Sequence, residues 1–209
     1  QTAQSGFRVI GEKGTDNSGY AVSGAGDVNA DGIDDFMIGA ISTDYLSVLN
    51  TGTVYVVFGA FGRSYADVDL RNITSTGAGF RIISTLGIEL GTSLSRAGDL
   101  NGDGIDDILI QPPLLPYVAV IFGSDSMATS YDVTDLVDTP NSSLGWLILS
   151  TSDVGAGMGM FVSPAGDANG DGIRDIDFQN VNTNGTNTDA VFLSEQKLIN
   201  VMAYGEYVF

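Results

Sequence analysis

Short apolar runs, separated by stretches rich in Gly, Ser, Asn and Asp, set the rhythm of this chain. Phe7-Arg8-Val9-Ile10, Phe80-Arg81-Ile82-Ile83 and Trp146-Leu147-Ile148-Leu149 form one set. Phe36-Met37-Ile38, Ile108-Leu109-Ile110 and Ile176-Asp177-Phe178 form a second, and Val54-Tyr55-Val56-Val57-Phe58, Val118-Ala119-Val120-Ile121-Phe122 and Ala190-Val191-Phe192-Leu193 a third. β-Branched and aromatic residues dominate these runs, which predicts strands. No window sustains a 3.6-residue apolar period, and 28 glycines would weaken most helices. Helical turns are expected only in linkers, near 65–72 and 131–138. The chain reads as all-β.

The runs recur because the sequence itself recurs. Gly26-Asp27-Val28-Asn29-Ala30-Asp31-Gly32-Ile33-Asp34-Asp35 returns as Gly98-Asp99-Leu100-Asn101-Gly102-Asp103-Gly104-Ile105-Asp106-Asp107. It returns again as Gly166-Asp167-Ala168-Asn169-Gly170-Asp171-Gly172-Ile173-Arg174-Asp175. A Gly- and Ser-rich stretch such as Ser18–Ala25 precedes the loop. Each unit therefore supplies four strand candidates, and the chain divides into copies at 1–70, 71–138 and 139–209. Four short strands per repeat is the arithmetic of a propeller blade.

The pattern Asp-x-Asn-x-Asp-Gly-x-x-Asp suits a hard cation. Positions 1, 3 and 5 aim side-chain oxygens at one centre, and Gly at position 6 lets the chain turn back. Position 7 offers a carbonyl and position 9 closes the shell. The expected donors are Asp27, Asn29, Asp31, Ile33 and Asp35 in the first loop, and Asp99, Asn101, Asp103, Ile105 and Asp107 in the second. The third loop offers Asp167, Asn169, Asp171, Ile173 and Asp175. An all-oxygen set with many protein donors favours Ca²⁺, up to three ions. The isoleucines at position 7 would also pin the loop to the core. Position 12 is Ile38, Ile110 and Phe178, so the helical calcium loops, which need an acid there, do not apply.

Charge sharpens this picture. The chain carries 26 acidic residues against 8 basic ones, a net charge of −18, with no Cys and no His. Such acidity repels nucleic acid and anionic membrane. The missing His and Cys exclude imidazole bases, thiol nucleophiles, disulfides and the usual zinc sites. Only four acids are Glu (residues 12, 89, 195 and 206), and the other 22 are Asp. Eleven of the 26 fall inside the three loops: four, four and three. Nearly all the clustered acids belong to the loops and the four Glu have no recurring setting that would make a glycosidase pair, so the chain is expected to be no enzyme. No apolar run reaches the roughly 18 residues of a membrane span. The first residues do not read as a signal peptide.

This arrangement resembles the FG-GAP repeat, the blade of integrin α-subunit β-propellers. Phe58-Gly59 and Phe122-Gly123 match its first landmark, and Gly39-Ala40-Ile41 two thirds of its second. Phe192-Leu193, Gln111-Pro112-Pro113 and Gln179-Asn180-Val181 depart from it. The resemblance implies a secreted or cell-surface calcium-binding protein with a structural or adhesive role, and calcium ligands at the loop positions named above.

Three blades fall short of the roughly 4 to 8 of a closed ring. The expectation is an incomplete propeller that associates with copies of itself, as an oligomer or filament. Leu198–Phe209 would form the outer strand of blade three or a strand donated to a neighbour. The alternatives are a fragment of a larger propeller that binds an extracellular protein or glycan, and an accessory domain of a secreted hydrolase or lyase. Sequons at Asn72, Asn141 and Asn184 are candidate glycosylation sites. Arg8 and Arg81, at equivalent positions, are expected on blade surfaces. Trp146 and Tyr117 would offer stacking surfaces for a sugar if exposed.

Overall fold

The computed structural model describes residues 6–60, 67–113, 117–138, 143–149, 162–166, 175–181 and 187–193. The third candidate metal loop apart from Asp175, the sequons at Asn141 and Asn184, and Leu198–Phe209 lie outside these residues.

The fold is all-β and forms part of a propeller, with several sheets, none of them closed on itself among the described residues. Sheet 1 contains β2 (Ser18–Gly26), β3 (Asp35–Ala40), β4 (Thr53–Val57), β6 (Gly79–Ile83) and β10 (Ser130–Asp132), in the order β10-β6-β4-β3-β2. Sheet 2 contains β7 (Ser93–Gly98), β8 (Asp107–Gln111), β9 (Tyr117–Ile121) and β11 (Gly145–Leu149), in the order β11-β9-β8-β7. Sheet 3 shows β12 (Val162–Gly166), β13 (Asp175–Val181) and β14 (Asn187–Leu193), in that order. Pairing is antiparallel throughout these sheets except for β10 on β6. A separate parallel pair joins β1 (Val9–Ile10) to β5 (Val68–Asp69). Among the described residues helix is confined to a 3₁₀ turn at Leu70–Asn72 and one α-helical turn, α1 (Asp135–Asp138), at the two linkers expected to hold it.

Repeat and sheet are out of phase. The run Phe80–Ile83 opens the second repeat, yet it pairs with β4 as the fourth strand of sheet 1. Trp146–Leu149 likewise opens the third repeat and closes sheet 2 against β9. β6 thus lies between β4 of the preceding repeat and β10 of its own.

β4, β8 and β9 are buried along their whole length, which explains why they read as continuous apolar runs rather than alternating ones. One core lies between sheets 1 and 2: Met37, Val54, Val56, Phe80 and Ile82 meet Leu90, Leu94, Ile108, Ile110 and Ile121. A second joins Ala97, Leu100, Leu109, Val118 and Val120 of repeat two to Ile176 of β13. The remaining face of sheet 1 packs Ile38, Tyr55 and Val57 under Val68, Leu70 and Ile73 of the linker.

Aromatic edges complete these seams. Trp146 stands edge-on to Phe122 at 4.8 Å, and Phe80 edge-on to Tyr131 at 5.4 Å. Trp146 is only partly exposed and Tyr117 is buried, so neither presents the open ring face a sugar would stack on.

Candidate metal loops

Each loop leaves its sheet through the same irregularity. The β2–β3 ladder shifts between Gly24 and Gly26, the β7–β8 ladder between Arg96 and Gly98, and the β12–β13 ladder between Pro164 and Gly166. Gly26, Gly98 and Gly166 all have positive φ, at 78°, 77° and 72°. A glycine bulge turns the chain out of the sheet at a fixed angle, and the aspartate that follows starts the loop.

Within the first loop, Asp27 Oδ1 accepts the Asp31 N–H at 3.0 Å and its Oδ2 accepts that of Gly32 at 2.8 Å. Asn29 Oδ1 also accepts the Asp31 N–H, and Asp31 Oδ1 accepts that of Ile33. The second loop repeats the scheme with Asp99 to Asp103 and Gly104, Asn101 to Asp103, and Asp103 to Ile105. Side-chain oxygens at positions 1, 3 and 5 thus curl the loop around themselves. Asp31 and Asp103 remain exposed, and Asp27, Asn29, Asp99 and Asn101 half-buried.

Position 9 behaves differently. Asp35 is 3% exposed, with Oδ2 accepting the Val28 N–H at 3.0 Å and Oδ1 that of Gly59 at 2.7 Å. Asp107, fully buried, accepts from Leu100 at 2.7 Å and Gly123 at 3.0 Å. These carboxylates brace the start of the loop against the end of the fourth strand of its repeat. The bracing explains the Phe-Gly landmark: a Cβ on Gly59 or Gly123 would lie 2.5 or 2.4 Å from the carbonyl oxygen of Asp34 or Asp106. Ile33 and Ile105 are half-buried, each with its Cγ2 at 2.5 Å from that same Cβ position, so the pin at position 7 is made on the glycine.

Burial pushes the Asp35 carboxyl up to about 6 and that of Asp107 up to about 7. The two backbone amides on each pull the other way, and the neighbouring loop aspartates add to the rise. A cation beside either group would hold it ionised.

The oxygens of Asp27, Asn29 and Asp31, and of Asp99, Asn101 and Asp103, fit the donor set of a calcium ion in kind and spacing. Asp35 and Asp107 face inward, and no three acidic side chains converge on one point among the described residues. Each of their oxygens accepts a single amide and retains a lone pair, so they fit as ligands only while also bracing the loop.

The two loops are tied together. Asp106, at position 8, accepts the Asp27 N–H at 2.9 Å, returns its own N–H to Asp27 O at 3.1 Å, and pairs with Arg96 at 2.8 Å. Ser124 N–H reaches Val28 O at 2.9 Å. Neither Arg96 nor this role of position 8 stood out in the sequence. The available signal was the charge reversal at Arg174, the one non-acidic residue at that position.

The two equivalent arginines part company. Arg8 is exposed and paired with Asp67. Arg81 is half-buried, beside Glu12, Asp16, Thr43 and Tyr55, and Tyr55 donates to Glu12 at 2.8 Å. It lines a small polar cavity rather than a blade surface. Asn72, on the 3₁₀ turn, is exposed.

No family model matches the chain. It is similar to mouse integrin alpha-2, with 33% identity over 102 residues, 48% of this chain. The matched stretch is 8% of that protein's length. A protein of the integrin α class thus shares sequence with about half of this chain, in keeping with the all-β repeats described above.

Proposed function

We propose that the chain is a calcium-stabilised, non-catalytic module of an extracellular or cell-surface protein, with a structural or adhesive role exercised through association with copies of itself. The observation that carries the reading is the recurrence of one loop in two repeats, with the same side-chain oxygens accepting from the same backbone positions. The similarity to an integrin α-subunit supports the adhesive side. Among the described residues no helix is long and apolar enough to cross a membrane. Calcium would act by relieving repulsion among loop carboxylates, about 4 kcal/mol per pair at about 4 Å and an effective dielectric of about 20.

The test is thermal unfolding with calcium and with a chelator. Saturation at about 100 times Kd adds roughly 2.7 kcal/mol per site, which raises Tm by several degrees. A Tm indifferent to chelation rules the metal out.

The small share of integrin alpha-2 that matches supports a second reading, a recognition part of a larger propeller that captures an extracellular protein or glycan. Binding of a ligand by the calcium-loaded monomer would favour it. Service as an accessory domain of a secreted hydrolase or lyase would require catalytic residues outside this chain.

A further inference from the structure

The first metal loop is held from outside its own repeat. Asp27, its leading donor, has both main-chain groups on Asp106: its N–H donates to Oδ2 at 2.9 Å, and its carbonyl oxygen accepts the Asp106 N–H at 3.1 Å. The Val28 carbonyl oxygen accepts the Ser124 N–H at 2.9 Å, and the Val28 N–H donates to Asp35. The main-chain N–H and carbonyl groups of Asp27 and Val28 are thus all engaged, three of the four by the second repeat.

Asp106 is itself fixed. Arg96 Nη2 donates to its Oδ2 at 2.8 Å and to its Oδ1 at 3.0 Å, and the Asp106 side chain is only 15% exposed. The ground beside the pair is cut to fit it, since a Cβ on Gly26 would lie 2.3 Å from Asp106 Oδ2 and 2.7 Å from Arg96 Nε. Arg96 offsets the charge of Asp106, so the pair acts on the first loop by position more than by its field. Asp106 also stands between Ile105 and Asp107, the expected donors at positions 7 and 9 of the second loop. Whatever fixes those two residues fixes Asp106, and with it the backbone of Asp27.

We propose that the first and second loops bind calcium cooperatively, with Asp106 as the positioning residue between them and Arg96 as the group that holds Asp106 in place. This rests on the calcium reading. When the donors of the second loop are held by their ligand, the Asp106 carboxylate and N–H are set on Asp27. The first loop then begins with its leading donor already aimed, and less conformational freedom is left to lose on binding. By linkage the first loop favours binding at the second through the same coupling factor. Couplings between sites typically run from about 5-fold to about 150-fold. Position 8 of the third repeat is Arg174, outside the described residues, so the coupling concerns the first two repeats.

Gly32 and Gly104, at position 6, each donate to the first aspartate of their own loop, so their amide signals report one loop apiece. Calcium is titrated into the full chain with isotope-labelled glycine, and the two amides are followed by NMR. Asp103→Ala, at an exposed position of the second loop, leaves Gly32 to report the first loop alone, and Asp31→Ala leaves Gly104 to report the second alone. Asn101→Ala repeats the first measurement without removing the oxygen that accepts the Ile105 N–H. In wild type the weaker loop is expected to fill at lower calcium than it does alone, and one coupling factor of about 5 or more is expected to fit both glycine curves. Asp106→Ala lowers that factor, and Asp106→Asn, which keeps an oxygen for the Asp27 N–H, restores most of it. No response at either glycine in wild type overturns the calcium reading and this proposal with it. Wild-type curves that superpose on those of the single-loop variants overturn the coupling alone, and a factor indifferent to Asp106→Ala overturns the role of Asp106.

Discussion

Asp107 is carried into the interior at an electrostatic cost that its two main-chain partners offset only in part. Replacing it with Ala strands the N–H groups of Leu100 and Gly123. At about 1–3 kcal/mol for each buried donor left unpaired, Asp107→Ala is expected to lose roughly 2–5 kcal/mol in urea denaturation, with or without calcium. Asp103→Ala, at an exposed position, is expected to cost less in chelator and to lose most of the calcium-dependent gain. If both variants respond to calcium alike, the brace and the ligand roles are not separate. Positions 1, 3, 5 and 6 of the loop were legible in the sequence because their spacing is local. The brace made by position 9 was not, because its partners Gly59 and Gly123 stand 24 and 16 residues away. A contact of that range leaves no trace in spacing alone.

Between sheets, the controlling contact is backbone on backbone. A Cβ on Gly39 would sit 2.0 Å from the Gly91 carbonyl oxygen, whereas one on Gly24 meets nothing within 4 Å. Gly39→Ala is expected to cost about 1–3 kcal/mol by overpacking, and Gly24→Ala to stay within about 0.5 kcal/mol. Chemical denaturation midpoints of the two variants check this, and equal midpoints would show that the seam yields. The strands themselves were legible from their apolar runs, and so were the two helical turns in the linkers. What the runs did not reveal was ownership: Phe80–Ile83 has the composition of a strand, but nothing in those residues names the sheet it joins. Trp146 was misleading in the same way, because a lone Trp in a sequence carries no mark of the Phe122 ring it packs against.

Across the whole molecule, the core between sheets 1 and 2 is continuous, so neither sheet is expected to open alone. Ile110→Ala, in sheet 2, removes buried volume from that shared core and is expected to cost about 2–5 kcal/mol. Hydrogen exchange should then lose protection in β3 and β4 of sheet 1 by the same free energy as in β8. Protection lost from sheet 2 alone would show two independent units. The offset between repeat and sheet has a consequence for how such a chain lengthens. When one copy of the repeat is duplicated in the gene, the newcomer's first strand seals the sheet before it, and its other three await the copy after. Each addition is thus stitched across a boundary as it arrives. The segment that heredity copies and the body that folds are different objects, and a surgeon of the gene who cuts at the visible seam of the sequence would cut through the middle of a fold.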